Sequence, residues 1–99
     1  MNADSRDTVL QNLRRLKPDL ERQYGVTKLG IFGSFARNEI HGDSDVDVVV
    51  EMQEPDLFYM VHIKETLEDS FKRPVDIIRY RTTMNKRLKA RIDREAVYV

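Results

Sequence analysis

Gly33-Ser34, followed after a spacer of ten residues by Asp45 and Asp47, are the residues of this chain best suited to chemistry. Side chains alternate along a strand, so two aspartates separated by one valine project from the same face. Adjacent carboxylates repel, and burying part of that charge is costly without a compensating cation. Hard oxygen donors of this kind suit Mg²⁺. A glycine-serine turn just upstream offers backbone N–H groups and a hydroxyl to a phosphate. A phosphate cradle beside a metal-binding acid pair points to phosphoryl or nucleotidyl transfer.

The elements that must position these residues are legible in outline. Residues 26–32 (VTKLGIF) form a short β run leading straight into Gly33-Ser34, and residues 34–38 suit the first turn of a helix. Asn38, His41, Gly42 and Asp43 supply turn chemistry before the next strand, 45–52, where Val46, Val48 and Val50 alternate with Asp45, Asp47 and Glu51. Val48-Val49-Val50 predicts burial on both faces at that strand's end. Pro55 at a first helical position opens a helix to about residue 71, with Leu57, Met60, Ile63, Leu67 and Phe71 on one stripe. A third strand, 75–80 (VDIIRY), brings one more acid, Asp76.

Ahead of these lies an amphipathic helix over residues 5–15, with Asp4 or Ser5 as its N-cap. Pro18 predicts a break there and a short second helix to Tyr24, closed by Gly25 as a left-handed cap. Met84, Leu88 and Ile92, spaced by four, predict a basic amphipathic helix over 84–95, and residues 97–99 a short final strand. The order implies an α/β (α+β) domain: a small mixed sheet of three to four strands, with helices packed mainly on one side.

The chain has 99 residues, read as a single domain spanning 1–99. It contains no cysteine, which excludes disulfides and thiolate metal sites and fits a reducing cytoplasm. The start (MNADSRDTVLQNLRR) lacks an apolar signal segment. Seventeen basic and seventeen acidic residues give zero formal net charge, so direct nucleic-acid binding is not expected. The balance is uneven: residues 39–69 hold ten acids and one base, and residues 72–94 nine bases and two acids. The basic segment reads mostly as a solvated face, with a partner surface as the alternative.

Taken together, Gly33-Ser34, the ten-residue spacer, Asp45-x-Asp47 and the later Asp76 resemble the nucleotidyltransferase superfamily that includes DNA polymerase β. More narrowly, LKPDLERQYG, GSFARNE…SDVDVVVE, PVDII and the EAVYV ending look like minimal nucleotidyltransferases (MNT), the antitoxins of HEPN/MNT toxin–antitoxin pairs. The resemblance implies two Mg²⁺ ions on Asp45, Asp47 and Asp76, with these three acids as the catalytic set. ATP would be the substrate, its β- and γ-phosphates gripped by Gly33, Ser34 and Arg37. It implies transfer of AMP to a tyrosine hydroxyl on a HEPN ribonuclease toxin. The family commonly carries Gly where this chain has Asn38, a residue that tolerates left-handed φ.

Other readings stand beside these. Asp45 and Asp47 as solvent-facing acids, Asp76 as a surface acid and Ser34 as a helix cap are each compatible with the residues alone. Arg37 could equally pair with Glu39 or Glu51, and Glu51 shares the acid face one pleat further on. His41 and His62 read as loop and helix-surface residues, and the four tyrosines as core-edge packing. For the whole chain, the alternatives are an idle antitoxin acting by occlusion and a small-molecule (aminoglycoside-type) transferase. The latter is disfavoured because 99 residues leave no room for an acceptor domain. Oligomeric state, homo- or hetero-, is left open.

Overall fold

The computed structural model describes residues 5–99. Their order is α1 (Arg6–Tyr24), β1 (Val26–Phe32), α2 (Gly33–Ala36), β2 (Val46–Met52), α3 (Leu57–Phe71), β3 (Val75–Arg79), α4 (Lys86–Glu95) and β4 (Val97–Tyr98). The Ser5 hydroxyl accepts the Thr8 N–H at 3.1 Å, supplying one of the bonds that a helix start lacks. The other candidate cap, Asp4, lies outside the described residues. Gly25 closes α1 with φ 69°, in the left-handed conformation expected of it.

The expected break at Pro18 is absent: α1 runs through it as one helix. An interior proline costs about 3 kcal/mol. Full burial of an aliphatic side chain returns about 1.5–3 kcal/mol, and Val9, Leu10 and Leu13 before the proline and Leu20 after it are all buried. Burial on both sides outweighs the local penalty. A second correction concerns α3, whose start is set by Asp56 rather than Pro55. The Asp56 carboxylate accepts the N–H groups of Phe58 and Tyr59 at 2.8 and 3.2 Å. Leu57, expected on the core stripe, is instead 84 % exposed, whereas Ile63, Leu67 and Phe71 are buried.

The sheet has the order β3-β2-β1-β4. β1 is antiparallel to both β2 and β4, and β2 is parallel to β3. Val46, Val48 and Val50 join Leu29 and Ile31 in a core with Val9, Leu13, Ile63 and Leu67 of the two long helices. On the opposite face Phe32 and Val49 pack with Met84 and Ile92, so α4 covers the side of β2 on which Asp47 lies. Tyr80 fastens α4 by donating its hydroxyl to Asp93 at 2.7 Å. No helix among the described residues is long and apolar enough to cross a membrane.

At Gly30, β1 lies close against β4. A Cβ there would lie 2.6 Å from the Val97 carbonyl oxygen and 2.9 Å from the Tyr98 ring. Both are held by the pairing of Gly30 with Tyr98 and Ile31 with Val97. We expect Gly30→Ala to destabilise the fold by about 1–3 kcal/mol, the usual cost of overpacking, measured by urea unfolding. An unchanged midpoint would show that β4 yields freely.

Candidate active site

Parallel register sets two of the acids side by side. Asp47 of β2 is the partner of Asp76 of β3, and paired residues of adjacent strands lie about 4.8 Å apart with side chains on the same face. Asp45 precedes β2, whose first residue is tied down by the Val46 N–H to the Pro74 carbonyl at 3.0 Å. The loop leading to Asp45 is fixed by Arg73, which donates to the carbonyls of Gly42 and Ser44 at 3.0 and 3.1 Å and lies over the Phe35 ring. Asp45 and Asp76 are exposed and Asp47 is half-buried.

Burial is the main cause that raises the Asp47 carboxyl above its ordinary value; Asp76 and, less strongly, Asp45 add repulsion, while Arg91 and Arg37 oppose the shift. The ionised form is therefore under-compensated, and a divalent cation is the species that would relieve it. The donor chemistry of the three acids fits a hard cation. Among the described residues, though, no three His, Cys, Asp or Glu side chains already stand gathered as a metal site. Asp47 and Asp76 form the fixed pair, and Asp45 flanks it.

The turn comes next to the acids because Phe32, the last residue of β1, pairs with Asp47. Gly33 follows with φ 71°, and a Cβ on it would collide with the Asp47 carboxylate. Phe35 is fully buried and anchors the turn from below. Asn38 adopts φ 60°, the left-handed conformation expected of a residue replacing glycine there. Ser34 is not a helix cap: the cap position of α2 is Phe32, which makes no side-chain bond. The Ser34 hydroxyl is half-buried and engages no partner among the described residues.

Arg37 pairs with Glu39 at 3.1 Å, one of the two expected partners, and Glu51 is taken by Lys28 at 3.5 Å. Arg37 has a further partner in Glu95. Its Nη1 donates to both Glu95 oxygens at 3.1 Å. The Gly33 N–H and the Arg91 Nε also donate to Glu95 Oε2, each at 3.3 Å. Burial alone would raise the Glu95 carboxyl, but Arg37, Arg91 and the Gly33 N–H together bring it below its usual value. Arg91 and Glu95 thus join the candidate site, where sequence reasoning had no ground to choose them. Their spacing of four on a basic helix looks like any solvated ion pair. His41 lies in the loop before β2 and His62 stacks on Tyr24.

Residues 14–99 match the family described as polymerase β, nucleotidyltransferase. A Thermococcus cleftensis protein named protein adenylyltransferase MntA is 34% identical over 84 residues, covering 84% of each chain. A solved structure provisionally described as a minimal nucleotidyltransferase is 32% identical with TM-score 0.70, covering 89% of this chain and 93% of that one. A further structure, of a tri-AMPylated Shewanella oneidensis HEPN toxin in complex with an MNT antitoxin, has TM-score 0.69. At 15% identity, over 94% of this chain and 70% of that one, that last likeness speaks to the fold.

Proposed function

The chain belongs to the polymerase β nucleotidyltransferase family and is a nucleotidyltransferase, and from that premise we propose that it is a Mg²⁺-dependent protein adenylyltransferase acting as an antitoxin. In this reading it transfers AMP from ATP to a tyrosine hydroxyl of a HEPN-type toxin. The observation that carries the reading is the in-register Asp47–Asp76 pair with the Gly33 turn packed against Asp47. The name of the Thermococcus relative and the AMPylated toxin in the Shewanella complex support the choice of donor and acceptor.

Gly33 lets the backbone approach the β- and γ-phosphates, Ser34 turns its unengaged hydroxyl to them, and Arg37 neutralises their charge. Two Mg²⁺ ions held by Asp45, Asp47 and Asp76 would supply the charge neutralisation that an in-line displacement needs. The acceptor oxygen bonds to the α-phosphorus, the bond from that phosphorus to the β-bridging oxygen breaks, and pyrophosphate leaves. The hydroxyl proton passes to the Asp76 carboxylate, the most exposed acid of the in-register pair.

A protein acceptor also needs a docking surface. Leu57, Phe58 and Val61 are 84, 77 and 52 % exposed on the first turns of α3. Leu57 also lines a groove of about 390 Å³ beside β3, together with Met60, Ile77, Met84, Leu88, Arg79 and Arg81. An apolar face with arginines in its lining suits an acidic, amphipathic segment of the toxin.

The test incubates the purified pair with ATP and Mg²⁺ and follows the mass of the toxin. An AMP adduct should form and should vanish with Asp45→Ala plus Asp47→Ala. No adduct would refute the proposal, and neutralisation that survives the double substitution would favour occlusion. Leu57→Asp, in the lining of that groove, should lower adduct formation about tenfold or more, as loss of an apolar anchor does, and leave ATP affinity unchanged. Full modification by that variant would place the docking surface elsewhere.

A further inference from the structure

We propose that Glu95 holds the place of a nucleotide phosphate, and that Arg37 and Arg91 pass from its carboxylate to the triphosphate when the nucleotide binds. The inference rests on the nucleotidyl-transfer reading above and adds a gate to it. Three donors from two distant parts of the chain converge on this one carboxylate: the Gly33 N–H at 3.3 Å, Arg37 Nη1 at 3.1 Å and Arg91 Nε at 3.3 Å. A backbone N–H from a glycine turn plus two guanidinium groups is a donor set for an anionic oxygen cluster, and phosphate satisfies it as carboxylate does. The cluster lies beside Asp47, since Arg91 Nη2 stands 3.2 Å from the point a Gly33 Cβ would occupy.

Packing does not explain why Glu95 reaches there. α4 is already held by fully buried Ile92, by Met84 and by the Tyr80–Asp93 bond. Helix energetics oppose it too, because a carboxylate in the last turn of a helix faces the negative end of the macrodipole. The Glu95 side chain is nonetheless only 14 % exposed, while the arginines it joins remain 37 % and 41 % exposed. It is the last residue of α4, and the chain leaves the helix at Ala96 with ψ 138°. The carboxylate can therefore swing away by rotation of its own side chain, with α4 left in place.

The consequence is a site whose phosphate grip is self-occupied when empty. A gate closed about nine-tenths of the time weakens apparent affinity about tenfold. It would also favour the full triphosphate, whose charge competes best for the two arginines.

Titration calorimetry on the whole chain with Mg²⁺ tests this, using ATP, pyrophosphate and adenosine as probes. Glu95→Gln keeps the shape and removes the charge; it should bind ATP and pyrophosphate about tenfold more tightly and adenosine unchanged. Arg91→Gln should bind ATP about tenfold more weakly, again with adenosine unchanged. If Glu95→Gln binds ATP equally or less tightly than wild type, the gate is refuted and Glu95 serves to aim the arginines. If wild-type protein binds no nucleoside triphosphate, it is the transferase reading that has failed. A wild-type measurement covers the case in which Glu95→Gln does not fold. Pyrophosphate titrated into ¹⁵N-labelled protein should shift the Gly33 amide and the Arg37 and Arg91 Nε signals together. Binding that leaves the three unmoved would overturn the proposal.

Discussion

Asp47→Asn is expected to abolish nucleotidyl transfer and, in metal-free buffer at neutral pH, to raise the melting temperature. Loss of a carboxylate that would hold Mg²⁺ removes several kcal/mol of transition-state stabilisation; about 4 kcal/mol corresponds to roughly a thousandfold in rate. The gain in stability follows from the sign of the Asp47 shift. Burial, then Asp76, raise its carboxyl in the folded state above the unfolded value, with Arg91 and Arg37 only partly offsetting them. Above the folded value the ionised group weakens the fold, and this penalty fades as pH falls through the folded value towards the unfolded one. Asparagine carries no such penalty, so the gap in melting temperature between variant and wild type should close as the solution is acidified. Added Mg²⁺ should stabilise the wild type by mass action and the variant much less. A variant that melts lower than wild type in chelator, or that retains transfer, would show that Asp47 is an ordinary ion-pairing acid.

The same residue shows how far the sequence could be read. The period of two placed Val46, Val48 and Val50 in the core and Asp47 on the other side, because alternation is a local property of a strand. Gly25 and Asn38 were legible for the same reason: a left-handed turn needs a residue that tolerates it, and these two sit at φ 69° and 60°. Local rules failed where distant packing outweighed them. Pro18 should break a helix on its own, yet buried leucines on both sides carry α1 across it. Leu57 fits the α3 stripe by spacing, yet no element among the described residues covers it. Glu95 could not be read at all, since its partners Gly33 and Arg37 are 62 and 58 residues away in the chain. What brings them together is β4, which pairs with β1 and delivers the end of α4 to the turn after Phe32.

Gly33→Ala should be the most damaging single-methyl change in the chain, and its cost should depend on Asp47. Two separate penalties act there. A non-glycine residue at φ 71° pays about 1 kcal/mol for the left-handed conformation. Independently, the new methyl meets the Asp47 carboxylate, with Arg91 Nη2 3.2 Å away, so one of the three groups must shift. Overpacking of this kind adds about 1–3 kcal/mol, for a total of about 2–4 kcal/mol against the 5–15 kcal/mol typical of a small domain. Either adjustment also displaces a group of the proposed site, so transfer should fall more steeply than stability. A double-mutant cycle separates the two penalties. In an Asp47→Ala background the carboxylate is gone, and Gly33→Ala should then cost only the conformational part. The expected coupling in urea unfolding is about 1–3 kcal/mol, within the range of residues in direct contact. Additive costs would mean that the turn and the acid are independent, and the contact between phosphate cradle and acid pair would have no energetic reality.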